Sequence, residues 1–380
     1  MYQEKVIQPP AKTGDVSSPG NLTLKKVQKS CDAWSDELWQ AWDQYVQQHP
    51  QGTFCHLSGW GRVIERVWGH TPSHLCTQQN GRMTGILPLF YVSSRIFGSM
   101  LVSSPNAVYG GILADDVHSR QALLGEARKI AHELRVDYLE LRDAITPSTP
   151  GGNVFSSEPD FHTRDLYYSF EHPITTDEEA LMKTFPRDLR TMIRKGVKNE
   201  LVGEIGRLEL LDDFYNVYAT SVRNLGTPVF PKKLFAEFLR EFPNDSDILM
   251  IRQQGKVAGG VLNFYFRNTV MPYYGGAYPE FYRTGINNFM YWELMRTAAA
   301  RGYTNFDFGR SKQGTGAYEF KRGWGMAVRP LPYQFYLVKS EKMPELNPTN
   351  PKFELMIRLW KKLPIEVTKL IGPRIVRNLP

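Results

Sequence analysis

Asn305-Phe306-Asp307-Phe308-Gly309-Arg310-Ser311-Lys312-Gln313-Gly314-Thr315-Gly316-Ala317-Tyr318-Glu319-Phe320-Lys321-Arg322-Gly323-Trp324-Gly325 is the stretch on which the reading of this chain turns. Its apolar opening predicts a short strand that ends in an acid and a glycine. A glycine-spaced polar loop follows, then a short aromatic and basic helix closed by glycines. Loops leaving strand ends are where such sheets hold ligands. A plainer reading fits the same residues: the glycines serve tight turns and Lys321 is a solvated cation. A phosphate-binding P-loop is excluded, because Thr315 stands where that motif needs a lysine after Gly309 and Gly314.

Working backwards, Met290 to Phe308 reads as a helix followed by this strand, and the pattern has an earlier counterpart. A helix over 119–134 leads into the strand Tyr138 to Leu141. Two further blocks repeat in the same order. Cys76 to Leu87, with its Asn80-Gly81 turn, resembles Ile251 to Leu262. Val108-Tyr109-Gly110-Gly111 resembles Tyr273-Tyr274-Gly275-Gly276. Strand-turn-strand, helix and strand, given twice, predict a duplicated α+β unit in which each copy is a mixed β-sheet packed with helices. The boundary falls in the loop carrying Pro147, Pro150, Gly151 and Gly152, so we expect units over 25–160 and 161–345 after a flexible lead-in, 1–24.

The second unit holds an inserted basic helix, 186–199. Arg187, Arg190, Arg194 and Lys198 form one stripe, opposite Leu189, Met192, Ile193 and Val197. Such a stripe suits phosphates, and it equally describes a solvated helix face. Helices are also expected over 36–48, 57–67, 212–225 and 232–242. The tail, 346–380, carries seven basic residues against two acids. Its pattern Phe353, Leu355, Met356, Leu359, Trp360, Leu363 predicts a basic amphipathic helix, which either docks on the fold or lies on an anionic membrane.

With 380 residues, 42% of them hydrophobic and 22% charged, the chain can bury sizeable cores and is not a disordered polymer. The formal charge of +7 favours anionic partners, and five units of it lie in the tail. Three cysteines without a CxxC pair, and a polar start, give the expectation of free thiols and a cytoplasmic protein, peripheral at the inner face of the membrane if the tail binds there. No metal is expected: Cys55, His56, His70, His74 and Cys76 fit no usual zinc spacing. The tryptophans Trp34, Trp39, Trp42, Trp60 and Trp68 read as core.

The run Asp307-Phe308-Gly309 through Gly316, Phe320-Lys321 and Trp324-Gly325 resembles the C-terminal signature of the FemAB-related branch of the GNAT acyltransferase superfamily. Phe185 to Val197 resembles that family's basic helix, and Gly285 to Gly302 the helix before the signature strand. The likeness spans about 50–338 and is greatest to members associated with exosortase (PEP-CTERM) and exopolysaccharide loci. It implies two tandem GNAT-like units and transfer of an acyl or aminoacyl group to an amine, in peptidoglycan or other envelope-polymer metabolism.

The resemblance implies that Lys321 faces the carbonyl oxygen that turns anionic, with Phe320 packing behind it. Asp307 is the first candidate for a general base, ahead of Glu319 and Tyr318; a carboxylate tied to local amides at a strand end is the competing reading. Gly309, Gly314, Gly316, Tyr318 and Trp324 frame the candidate substrate site, together with Gly285 and the basic stripe. Around Gly285 the chain departs from ordinary GNAT pyrophosphate loops, with Tyr282 before and Asn287 after it. Acyl-CoA, acyl-carrier protein and aminoacyl-tRNA all stay open as donors, none tightly bound. The acceptor is a small or lipid-linked amine, and DNA is not expected as a partner. The rival function is a non-catalytic anion-binding protein that holds RNA or a membrane surface.

Overall fold

In the computed structural model, the residues described are 22–26, 30–94, 98–143, 160–344 and 351–378, with side chains from 355 onward in the last segment. The expected boundary loop around 147–152 and most of the expected lead-in lie outside them. Leu22 to Leu24 of that lead-in belong to a strand.

The first half runs β1 (Leu22–Lys26), α1 (Asp36–Gln48), α2 (Ser58–Trp68), β2 (Thr71–Pro72), β3 (Leu75–Gln79), β4 (Arg82–Leu87), β5 (Leu89–Ser94), β6 (Gly98–Ser103), β7 (Leu113–Ala114), α3 (Val117–Glu133) and β8 (Tyr138–Leu141). The second runs β9 (Phe161–Pro173), α4 (Glu178–Thr184), α5 (Arg187–Lys198), β10 (Leu201–Gly206), α6 (Leu211–Leu225), α7 (Lys232–Glu241), β11 (Ser246–Gln253), β12 (Lys256–Phe266), β13 (Thr269–Ala277), α8 (Ile286–Ala300), β14 (Asn305–Asp307), β15 (Ser311–Lys312), α9 (Gly316–Arg322) and β16 (Ala327–Leu337). Two helices close the chain, α10 (Pro351–Lys362) and α11 (Ile365–Val376).

Hairpin, strand, helix and parallel strand occur in both halves: β3–β4, β6, α3, β8 in one and β11–β12, β13, α8, β14 in the other. The parallel pairings are β6 with β8 and β13 with β14. The fold is therefore a mixed α+β duplication.

The sheets do not stay within the halves. Strands of both join one twelve-stranded sheet, in the order β10-β11-β12-β13-β14-β9-β16-β8-β6-β5-β2, with β15 also on β9. The first hairpin sits apart, in the four-stranded sheet β1-β3-β4-β7. Pro88 separates β4 from β5 and passes the chain between the two sheets, as a residue without an N–H does where a ladder breaks.

Strand alternation fills a core on each face of the large sheet. On β11, Ile248 and Met250 enter one core, and Leu249 and Ile251 the other. The first of these cores is shared by the halves: Phe54 stacks on Phe264 at 4.5 Å, and Trp60 meets Phe238 at 4.7 Å. Trp39, Trp42, Trp60 and Trp68 are buried in it. On the other face, α5 lies on α8 through Leu189, Ile193 and Gly196. Val197, read from periodicity as part of that apolar face, is 58% exposed; Gly196 takes the contact with Phe289 instead.

Candidate active site

The parallel strands β13 and β14 pair only at Thr269–Asn305 and Val270–Phe306. Beyond that they part. A bulge at Tyr273 tilts β13, and the N–H of Phe308 turns away to the Phe170 carbonyl on β9. A cleft of about 450 Å³ opens in the gap, between Pro272–Gly275 on one wall and Phe308–Arg310 on the other.

Lys321 closes one side of this cleft. Thr315 caps α9, its hydroxyl accepting from the Tyr318 N–H at 3.3 Å, and the helix carries the lysine back over the loop that precedes it. The ammonium donates to three carbonyl oxygens, those of Phe308 at 2.5 Å, Gly309 at 3.2 Å and Arg310 at 3.1 Å. It also sits 5.1 Å from the centre of the Phe308 ring. Burial pushes its pKa down to about 7, opposed by the charge of Asp307 and aided by that of Arg310. The three carbonyls favour the charged form of this half-buried lysine while desolvation opposes it, so a cation poised near neutrality stands at the wall of the cleft.

The other residues picked out by sequence are placed differently from one another. Gly309 lines the cleft. Phe320 and Trp324 pack behind it with Tyr291 and Phe308, and Trp324 is 1% exposed. Tyr318 packs on Tyr168 and Phe170 on β9, away from the cleft. Gly314, in a turn, and Gly316, the first residue of α9, are exposed, and a Cβ at either would meet open space. Gly285 begins α8 with φ +87°, and a Cβ there would come within 2.5 Å of the Met192 carbonyl oxygen, so it permits the close approach of α5 and α8. Of the basic stripe, Arg187, Arg194 and Lys198 are exposed and Arg190 is half-buried. None of the four lines the cleft.

Asp307 faces the opposite way from Phe308, as alternation along a strand requires. It lines a second cleft of about 400 Å³, with Tyr109, Glu171 and Arg329. Its carboxylate accepts from the Tyr109 hydroxyl at 2.9 Å and the Gly309 N–H at 2.8 Å. Burial raises its pKa, and those two donors and the charges of Lys321 and Arg329 pull against the rise. Burial and the charge of Asp307 likewise raise the pKa of Glu171, against Arg329.

A loop from the first half stands between the two clefts, with Val108 walling one and Tyr109 the other. Tyr273 fixes it from β13, accepting from the Val108 N–H at 2.9 Å and donating to the Asn106 carbonyl at 3.1 Å. Tyr333 on β16 donates to the Val108 carbonyl at 2.6 Å. Arg310 donates to the Tyr333 hydroxyl at 2.8 Å and lies over the Tyr167 ring.

The corresponding gap in the first half is filled. Past the last β6–β8 pair, Val102–Glu140, Arg142 donates to Glu140 at 2.8 Å and to the carbonyls of Ser104 and Ala107. It is 2% exposed.

Tyr274 lines the cleft with its ring packed against Tyr218, Phe230 and Phe235. It is 8% exposed, and its hydroxyl has no partner among the described residues. Sequence reading had singled it out only as part of a repeat. Thr227, Phe230 and Val376, which form the rim, carried no local signal at all. Among the described residues no group of three His, Cys, Asp or Glu side chains is placed to hold a metal. His74 accepts from the Leu89 N–H and faces Cys31, inside an aromatic cage.

The profile of the acetyltransferase (GNAT) domain family matches residues 184–322, which include α5, the parted strands and Lys321. No curated protein matches the sequence. Among solved structures, FemX aligns at 14% identity with a TM-score of 0.65, over 84% of this chain and 98% of its own. The C-terminal domain of a putative lysylphosphatidylglycerol synthetase from Agrobacterium fabrum aligns at 12% identity and 0.54, over 79% and 92%. A tandem GNAT protein from the clavulanic acid biosynthesis pathway aligns at 11% and 0.51, over 85% and 100%. At these identities the likeness is one of fold.

Proposed function

We propose that this chain, which carries a GNAT acetyltransferase domain in the fold of FemX and of tandem GNAT proteins, transfers an acyl or aminoacyl group from an activated ester or thioester to an amine. The observation that carries the reading is the cleft between β13 and β14, with the Lys321 ammonium at its wall. The amine nitrogen attacks the carbonyl carbon and the carbonyl oxygen becomes anionic. When the intermediate collapses, the carbon–oxygen or carbon–sulfur bond to the donor breaks. The proton lost by nitrogen leaves with the freed alcohol or thiol, giving an amide. Lys321 stabilises the anionic oxygen by giving up its longest carbonyl bond, that to Gly309, and turning one N–H into the cleft.

Asp307 is walled off by Val108 and Tyr109 on the far side of β14, so we assign it to holding that loop and to setting the charge of Lys321, and not to proton abstraction. The four cations of α5 have no carboxylate partner among the described residues, which suits the phosphates of a coenzyme, a carrier arm or tRNA. The acceptor is a small or lipid-linked amine. The test is an in vitro transfer assay with acyl-CoA, acyl-carrier protein and aminoacyl-tRNA as donors, comparing the wild type with Lys321→Met. Amide formation that depends on Lys321 supports the reading. Anion binding through α5 with no transfer from any of these donors favours the non-catalytic alternative.

A further inference from the structure

We infer that the outward face of α10 is a docking surface for an anionic lipid bilayer. The helix is apolar on two opposite sides. Its inner side meets the body: Trp360 is 8% exposed and its indole N–H donates to the Thr227 carbonyl at 3.1 Å, while Ile357 lies against Gly226. On the outer side, Leu355, Met356 and Leu359 are 61%, 61% and 58% exposed. Leu355 and Leu359, one turn apart, form a stripe turned away from Ile357, and Met356 lies between that stripe and Trp360. Leu225, at the end of α6 beside Gly226, adds a further apolar side chain, 71% exposed.

A helix that is apolar on both sides lies between two surroundings that each take up apolar side chains, and the protein supplies only one of them. Charge identifies the other. The segment 351–378 carries seven basic residues against two acids, and Lys361, Lys362 and Arg374 have no carboxylate partner among the described residues. Exposed apolar side chains on a basic helix, with Lys362 flanking Leu355, match the headgroup region of an anionic leaflet, where the stems bury and the charges meet phosphate. No helix among the described residues is long and apolar enough to cross a membrane, so the contact is interfacial.

The bilayer would then lie beside the cleft. Thr227, which accepts the Trp360 bond, is on the rim, and so is Val376 of α11. Together with the acyl-transfer reading, on which this step rests, the arrangement selects an amine acceptor that is itself held at the membrane.

Sedimentation of the full chain with phosphatidylglycerol–phosphatidylcholine vesicles, against phosphatidylcholine alone, tests the surface. The wild type is expected to pellet with the anionic vesicles and to be partly released by salt. Leu355→Asp with Leu359→Asp should weaken that binding by at least ~tenfold, since two partly buried leucines are removed from the contact. If that double variant unfolds, Lys361→Glu with Lys362→Glu keeps the apolar stripe and should weaken binding to the anionic vesicles alone. A wild type that stays in the supernatant overturns the proposal. So does a variant that binds unchanged, or a wild-type dimer that the leucine changes turn into a monomer with no vesicle binding in either form. Transfer to a water-soluble amine is read in parallel. If it persists while vesicle binding fails, only the docking surface falls; binding without transfer removes only the enzymatic reading.

Discussion

The Tyr109 hydroxyl donates to the Asp307 carboxylate across 2.9 Å, joining positions 198 residues apart. The bond links the first half of the chain to the end of β14, beside which the Lys321 cleft opens. It is one of two hydrogen bonds holding a carboxylate that is 6% exposed. Tyr109→Phe leaves that charge with the Gly309 amide as its remaining hydrogen-bond donor among the described residues, and should cost about 1–3 kcal/mol in denaturant unfolding. Asp307→Asn, which keeps the shape and removes the charge, should cost less than Asp307→Ala.

Lys321→Met removes the ammonium but keeps the length of the side chain. Transfer should fall by ~10²–10³, the usual effect of losing one donor to a developing oxyanion. Circular dichroism should show the fold intact, because the freed carbonyls border a cleft that water enters. Transfer at wild-type rates would refute the assignment.

The pH dependence follows from the same residue. Its folded pKa of about 7 lies below the ordinary 10.5. If Lys321 acts as proposed, its charge is lost as pH rises through about 7 and kcat/KM should decline there. Between about 7 and 10.5 the unfolded chain binds a proton that the folded chain has released, so stability should rise with pH across that window. Below about 7 both states carry the proton, and the burial penalty is fully present. In Lys321→Met both trends should vanish, as read from rate profiles and from unfolding at a series of pH values.

For Tyr274→Phe, stability and activity should separate. The hydroxyl has no partner in the fold, so its removal should leave the unfolding midpoint unchanged or slightly raised. If it bonds the donor in the cleft, transfer should drop by ~tenfold, the worth of one such hydrogen bond. An unaltered kcat/KM would show that the hydroxyl does not contact the donor.

Gly372→Ala tests how α11 is seated. A Cβ there would lie 2.6 Å from the Val229 carbonyl oxygen and 2.7 Å from its nitrogen. The helix must shift, at about 1–3 kcal/mol, and carry Val376 away from the rim. The expected result is a raised KM with kcat largely kept, measured by steady-state kinetics.

Much of the architecture was legible because it is local. The helix over 36–48 and the strand Tyr138–Leu141 fall where their periodicity puts them, and the Asn80-Gly81 turn marks its hairpin. The glycine-framed Lys321 stood out for the same reason. Arg310 was not singled out, although it lies within the same stretch, because its partners Tyr167 and Tyr333 come from strands β9 and β16, which no short pattern announces. The Val108–Tyr109 divider was visible only as a repeat of Tyr273–Tyr274. Its placement depends on chain crossings between the halves. Arg187, Arg190, Arg194 and Lys198 fall within α5, but periodicity cannot say which way a helix turns its charges relative to a cleft.

Arg142 has a consequence for counting. With its guanidinium lodged where β6 and β8 separate, one member of the duplicated pair offers no room for a ligand, and its loop has become masonry for the other. Calorimetric titration with a non-reactive donor analogue should therefore saturate at a single equivalent per polypeptide, despite the twofold repetition of the architecture.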